Sequence, residues 1–153
     1  DPTALPLIVV ADGLQDPGNL GTLLRSAAGA GATLVLVTPG TVDPYNAKVV
    51  RGAMGAHFRL PIQLLSEQAI SDLFVYEQRL VAETAGATPY HQVEWRKASV
   101  IVIGSEAHGS SPALRQIATG TVSIPLERDV ESLNAAVAAS IILFEAQRQR
   151  RFA

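Results

Sequence analysis

Leu7-Ile8-Val9-Val10, closed by Asp12-Gly13, is followed by the segment Leu20 to Ala30 and then by Thr33-Leu34-Val35-Leu36-Val37. The reading of these 31 positions, 7 to 37, decides the fold. The first apolar run is short, bounded by turn residues, and reads as a buried strand. In the second segment Leu20, Leu23, Leu24, Ala27 and Ala28 recur at helical spacing, and Gly29 and Gly31 close the helix. The third run is another strand, stopped by Pro39-Gly40. Strand, helix and strand in succession require a crossover, hence a parallel pair.

The same alternation continues. Asn46 to Met54 reads as a short helix and Arg59 to Ile62 as a short strand. Ser66 caps a helix from Glu67 to about Gln78, and Leu80-Val81-Ala82 is a strand. Thr84 to Lys97 reads as a long loop. Val100-Ile101-Val102-Ile103 is the clearest strand of all. Ser111-Pro112 starts a helix, Thr121 to Ile124 is a last strand, and Asn134 to about Arg150 is the longest helix. The expectation is one α/β domain across residues 1–153, a mostly parallel sheet with helices on both faces.

Composition agrees. Hydrophobic residues make up 48% of the 153 residues and charged ones 17%, below the usual quarter, which suits a folded, well-buried chain. The formal net charge of -2 is unlike a free-standing nucleic-acid binder, so RNA affinity would come from local patches or another segment. The sequence opens Asp1-Pro2-Thr3 without Met and reads as part of a longer chain with an N-terminal domain outside it. With no Cys, thiolate metal sites and disulfides are ruled out. The scattered His57, His91 and His108 argue against a metal site. No apolar run approaches the roughly 18 residues of a membrane helix, and a cytoplasmic address is expected.

Three loops at strand ends carry the candidate chemistry, because ligands bind beyond the carboxyl ends of strands in open α/β sheets. In Asp16-Pro17-Gly18-Asn19-Leu20-Gly21, Asn19 can cap the helix. Arg25 follows about two turns in, the makings of a phosphate site; a plain capped helix with a solvated Arg fits the same pattern. In Gly104-Ser105-Glu106-Ala107-His108-Gly109, two glycines flank a carboxylate able to accept a hydroxyl hydrogen bond or a proton. An ordinary strand-to-helix turn also fits, and His108 reads as a structural or surface residue. In the third loop, from Ile124-Pro125-Leu126 to Glu131-Ser132-Leu133-Asn134, Ser132 and Asn134 bring polar groups to a helix start. No Gly-x-Gly-x-x-Gly follows the first strand and no acid ends the second, unlike an ordinary Rossmann enzyme.

Together the loops resemble the three motifs of the SpoU (TrmH-like) RNA 2′-O-methyltransferases of the SPOUT class. Asp16 to Gly21 with Arg25-Ser26-Ala27 resembles the first motif, and Ile103-Gly104-Ser105-Glu106 with Gly109 the second. Ile124-Pro125-Leu126 with Glu131 to Asn134 and Ala138-Ala139 resembles the third. Arg51-Gly52-Ala53-Met54-Gly55-Ala56 with Leu60-Pro61 also looks like a family segment. Ala107, Ser110 and Ala135-Ala136 depart from the common pattern without touching its polar set.

The resemblance implies a C-terminal deep trefoil knot and a homodimer, and that the N-terminal domain outside this chain is RNA-binding. It also implies methyl transfer from S-adenosylmethionine to a ribose 2′-hydroxyl, in ribosomal RNA ahead of tRNA. A catalytically silent RNA-binding scaffold is the contrasting reading. Thr84, Gly104, Ile124 and Leu133 would hold the cofactor. Asn19, Glu106, Ser132 and Asn134 would shape the site. Arg25 would anchor phosphate and stabilise charge, since a guanidinium makes a poor base. The donor is a sulfonium and needs no metal activation. Leu133, Val137, Ile141 and Phe144 form an apolar stripe suited to a partner subunit, and Arg148, Arg150 and Arg151 are expected to emerge into solvent.

Overall fold

A strand that is apolar at every position must be covered on both faces, and Leu7–Asp12 (β1) is buried throughout. The computed structural model describes residues 5–86 and 88–152; the opening Asp1-Pro2-Thr3 lies outside them, as does Ala87 within the stretch read as a loop. After β1 come α1 (Pro17–Ala30), β2 (Leu34–Val37), α2 (Ala47–Ala53), β3 (Ile62–Leu64), α3 (Glu67–Asp72), β4 (Gln78–Ala82) and β5 (Thr88–Pro89). β6 (Ser99–Gly104), α4 (Pro112–Ile117), β7 (Gly120–Ser123) and α5 (Ala135–Phe152) complete the chain.

Among the described residues the seven strands form one sheet, ordered β3-β2-β1-β6-β4-β7-β5, and every pairing is parallel. All strands therefore present their carboxyl ends at one edge. β6 sits between β1 and β4, and β7 between β4 and β5, so two late strands are inserted among earlier ones. That interleaving is compatible with the implied threading of the C-terminal part.

Side-chain alternation divides the core in two. Leu7, Val9 and Ala11 point to the layer of α1, α2 and α5, where Leu20, Leu23, Val49, Ala139 and Leu143 are packed. Ile8 and Val10 point to the opposite layer, against Leu73, Leu114 and Ile117. α1 and α5 run in the same direction. The pairs Asn19–Asn134 and Ser26–Ser140 (Oγ to Oγ, 2.7 Å) and the bond from Gln147 to the Gly29 carbonyl follow one another along both helices.

Several expectations are corrected. The cap of α1 is Asp16, whose Oδ1 accepts from the Asn19 backbone N–H at 3.0 Å. Pro17 then takes the first helical turn, where its missing N–H does no harm. The helix begun at Ser66 stops at Asp72 and tightens into a 3-10 turn at Leu73–Val75. Gln78 is drawn into β4 by its N–H bond to the Ala98 carbonyl and its side-chain bond to Ser99. β3 lies later than expected, because Ala56–Phe58 is a 3-10 turn and the Pro61 carbonyl is taken by the Val35 N–H.

The stretch read as a loop contains β5 and the wholly buried Trp95. Arg150 does not emerge into solvent. Its guanidinium donates to the carbonyls of Leu5, Pro6, Trp95 and Lys97, tying α5 to the start of β1 and the approach to β6.

Gln149 is the second clasp on that loop. Its Oε1 accepts from the Trp95 N–H at 2.8 Å, and its Nε2 donates to the Val93 carbonyl at 3.0 Å. Gln149→Leu keeps the volume but strands both buried backbone groups, so it should destabilise by about 2–4 kcal/mol in denaturant melts. Retention of full stability would show that the loop is held without this clasp.

Candidate functional site

At the carboxyl edge the strand ends β4, β6 and β7 and the start of α5 enclose a cavity of about 400 Å³. Thr84, Gly104, Glu106, Ile124, Ser132 and Leu133 all line it, so six residues separated by up to 49 positions in sequence share one wall. Its deeper lining is apolar, with Ile103, Val122, Leu126 and Ile142. That combination of an apolar floor and a few polar groups at the rim suits a mixed aromatic and polar small molecule.

The loop after β6 is closed on itself. Ser105 and Gly109 form an antiparallel bridge, the Gly109 N–H donates to the Ser105 carbonyl, and the His108 N–H donates to Ser105 Oγ. A Cβ at Gly104 would lie 2.4 Å from the Gly109 carbonyl carbon, so the turn excludes any side chain there. His108 itself is exposed, as its surface reading requires. Asp12, buried at the end of β1, anchors the same loop from outside: its Oδ2 accepts from the Ser111 N–H at 2.6 Å. On the other wall the loop after β4 presses on β7. A Cβ at Gly86 would stand 2.8 Å from the Val122 carbonyl carbon.

The polar residues meet at the start of α5. Asn134 is its cap, with Oδ1 accepting from the N–H groups of Ala136 and Val137. Glu106 Oε1 accepts from the Ala135 N–H at 3.0 Å. A carboxylate at a helix N-terminus satisfies an orphan donor and complements the helix dipole. Asn134 Nδ2 also donates to Asn19 Oδ1 at 2.9 Å. Asn19, Glu106 and Asn134 are thus one cluster joining α1, the β6 loop and α5.

Arg25 stands apart. It is exposed on α1 outside the cavity lining, with no hydrogen bond or ion pair among the described residues. Two residues passed over in the sequence do reach the cavity: Glu83, just after β4, and Arg115 on α4, paired to each other across its wall. The place of Glu83 beyond a strand's carboxyl end was a usable signal; Arg115 sits in a helix with no motif around it. Among the described residues no cluster of three or more His, Cys, Asp or Glu is arranged to hold a metal ion. Among the same described residues no helix is long and apolar enough to cross a membrane.

Comparison with known proteins gives the same answer from independent directions. The model of the SpoU rRNA Methylase family matches residues 6–144. The chain is 36% identical to the mitochondrial rRNA methyltransferase 3 of Homo sapiens, over 97% of this chain and 48% of the relative. It is 34% identical to the 23S rRNA (guanosine(2553)-2′-O)-methyltransferase RlmP of Bacillus subtilis, over 90% of this chain and 56% of that protein. Among solved structures it superposes on the SpoU methyltransferase AviRb of Streptomyces viridochromogenes in complex with AdoMet. The TM-score is 0.84 and the identity 30%, covering 95% of this chain and 60% of that one. The chain spans about half the length of the relatives it matches.

The cluster geometry separates two substitutions. Asn134→Ala loses both the α5 cap and the bond to Asn19, whereas Asn19→Ala loses only the bond. Thermal or denaturant melts should place Asn134→Ala about 1 kcal/mol below Asn19→Ala, the usual worth of a cap. Equal losses would mean that Glu106 alone suffices to cap α5.

Proposed function

This chain belongs to the SpoU rRNA methylase family, and from that premise we propose that it transfers a methyl group from S-adenosylmethionine to a ribose 2′-hydroxyl of RNA, in ribosomal RNA ahead of tRNA. The observation that carries the reading is the cavity at the carboxyl edge, which gathers all four cofactor candidates, Thr84, Gly104, Ile124 and Leu133, onto one surface. Its size and lining fit the cofactor. An adenine ring suits the apolar floor of Val122, Ile124 and Leu126, while the rim offers backbone groups of the Gly104 loop and the charges of Glu83 and Arg115. The cofactor supplies an electrophilic methyl on sulfonium, a reaction centre that needs alignment with an attacking oxygen.

The chain's own residues supply the rest. Glu106 is occupied at the start of α5, so its part is to hold the β6 loop against α5 and fix the shape of the rim. Asn19 and Asn134 hold the two helix starts together and leave amide surface at the mouth. Ser132 lies on that rim with its hydroxyl available to a ribose. Arg25, exposed and unpaired among the described residues, is the group free to take a phosphate and to stabilise negative charge as the 2′-hydroxyl loses its proton. The knot and an N-terminal RNA-binding domain belong to the same proposal, as does a cytoplasmic address.

A homodimer completes it. Of the apolar residues on α5, Ala135, Ala139, Ile142 and Leu143 are buried within the chain, while Val137 and Phe144 remain 46% and 43% exposed. Of the expected stripe Leu133 instead lines the cavity and Ile141 is half-buried, so Val137 and Phe144 are what the monomer core leaves over, and a second copy is their natural cover.

Methyl transfer from labelled S-adenosylmethionine to RNA tests the reaction. Arg25→Ala should keep its melting temperature within about 2 °C, as surface substitutions do, and lose at least about 100-fold in turnover. Full turnover of Arg25→Ala would overturn this role. For the dimer, light scattering should give twice the chain mass at micromolar concentration, and Val137→Glu should shift it toward the monomer. A monomeric, active wild type would remove the dimer from the proposal.

A further inference from the structure

The cations of this chain are unevenly satisfied. Arg79, Arg96, Lys97, Arg115, Arg148 and Arg150 are held by carboxylates or backbone carbonyls, and Arg151 lies on the ring of Phe152. Among the described residues the side chains of Arg25, Lys48, Arg51, Arg59 and Arg128 have no hydrogen bond, ion pair or ring contact. The first four fall between Pro17 and Ser66, a stretch whose one acid is Asp43. This stretch carries a formal excess of three positive charges in a chain whose net charge is -2.

Three of those four cations follow one another along α2 and the turn after it. Val49, Ala53 and Ala56 are buried on the inner face of α2 and the turn after it. Lys48, Arg51, Met54, Phe58 and Arg59 are left on the outer side. Phe58 is 94% exposed and Tyr45 65%. Tyr45 is held beside the turn by its ring contact with His57, and His57 is fixed by a bond between its Nε2 and the Pro44 carbonyl. The surface adjoins the candidate site. A Cβ at Gly21 would lie 3.0 Å from the Val49 carbonyl oxygen and 3.1 Å from Gly52, so α2 rests directly on the turn of α1 that precedes Arg25.

A bare aromatic ring among unpaired cations is poorly suited to water and well suited to nucleic acid. We propose that this face is a platform for a single-stranded stretch of RNA: Lys48, Arg51 and Arg59 hold phosphates, and Phe58 stacks under an unpaired base near the methylated nucleotide. This rests on the RNA reading given above. Stacking requires a free base face, which a duplex does not offer, so the strand on Phe58 is unpaired. A second copy of the chain is a poor occupant. Interface cores are depleted in Lys, and among the described residues this face offers no acid but Asp43 for a second copy's cations to meet.

The test is fluorescence anisotropy with a labelled single-stranded RNA 20-mer and a duplex of the same length, each titrated with salt. For the single strand, Phe58→Ala should weaken binding by about 5- to 100-fold without changing the salt slope, and Phe58→Trp should restore it. Lys48→Ala with Arg59→Ala should flatten the slope by about 1.4, since each phosphate contact on a single strand contributes roughly 0.7. Duplex binding should be insensitive to Phe58→Ala. Single-strand binding unaffected by both variants overturns the platform and leaves the methyl-transfer reading standing. A wild type that binds no RNA removes that reading, and this one with it. If Phe58→Ala instead halves the mass seen by light scattering, the face is a subunit contact and the proposal is wrong.

Discussion

The bond between Asn134 and Asn19 joins residues 115 positions apart, and the candidate site depends on it. Asn134 also caps α5, and Glu106 from the β6 loop takes the next N–H of the same helix. Three segments without local contact in sequence are thereby fixed against one another at a single helix start. The Asn134 and Glu106 oxygens satisfy donors that the helix cannot satisfy itself. Structure and site are consequently hard to separate here: the groups that shape the rim are the groups that terminate the fold's elements.

The parallel sheet explains why the site lies where it does. All strand ends point the same way, so every loop that follows a strand reaches the same edge. The two helices that return along one face, α1 and α5, run in the same direction and bring both N-termini to that edge as well. Insertion of β6 beside β1 and of β7 beside β4 then places the loops after β4, β6 and β7 around a common void. Gly86 and Gly104 mark where backbones approach too closely for a side chain, which is how such a void acquires walls made of main chain.

Much of this was legible in the sequence. Leu7 to Val37 carried the strand-helix-strand unit, and Gly104, Glu106, Ile124, Ser132, Leu133 and Thr84, singled out in loops after strands or by the family resemblance, line one cavity. What was hidden depended on contacts distant in sequence. The true α1 cap is Asp16 because Pro17 fixes the helix start earlier than the apolar spacing suggests. Trp95 has no periodic partner near it, and its burial is decided by Gln149 and Arg150, more than 50 residues away. Arg150 reads as a solvated end residue, yet it donates to four carbonyls that lie outside the helices and strands. Register also escaped: Gln78 has no apolar signal and is a strand residue only because Ala98 and Ser99 lie beside it.

The net charge of -2 conceals a division of labour. Most of the acids with described partners serve the fold: Asp12 anchors a loop, Asp16 and Glu106 bind helix starts, and Glu83, Glu94 and Glu145 are paired with arginines. A carboxylate so engaged contributes little free potential, because its field is offset locally by the donor it meets. The unpaired cations are not offset, and four of the five lie on α1, α2 and the turn beyond, next to the site. Screening confines their field to about 8–10 Å at physiological salt, so a partner responds to this local excess rather than to the sum over the chain. An acidic chain can therefore present a basic face, and composition alone gives the wrong sign for the surface that meets a polyanion.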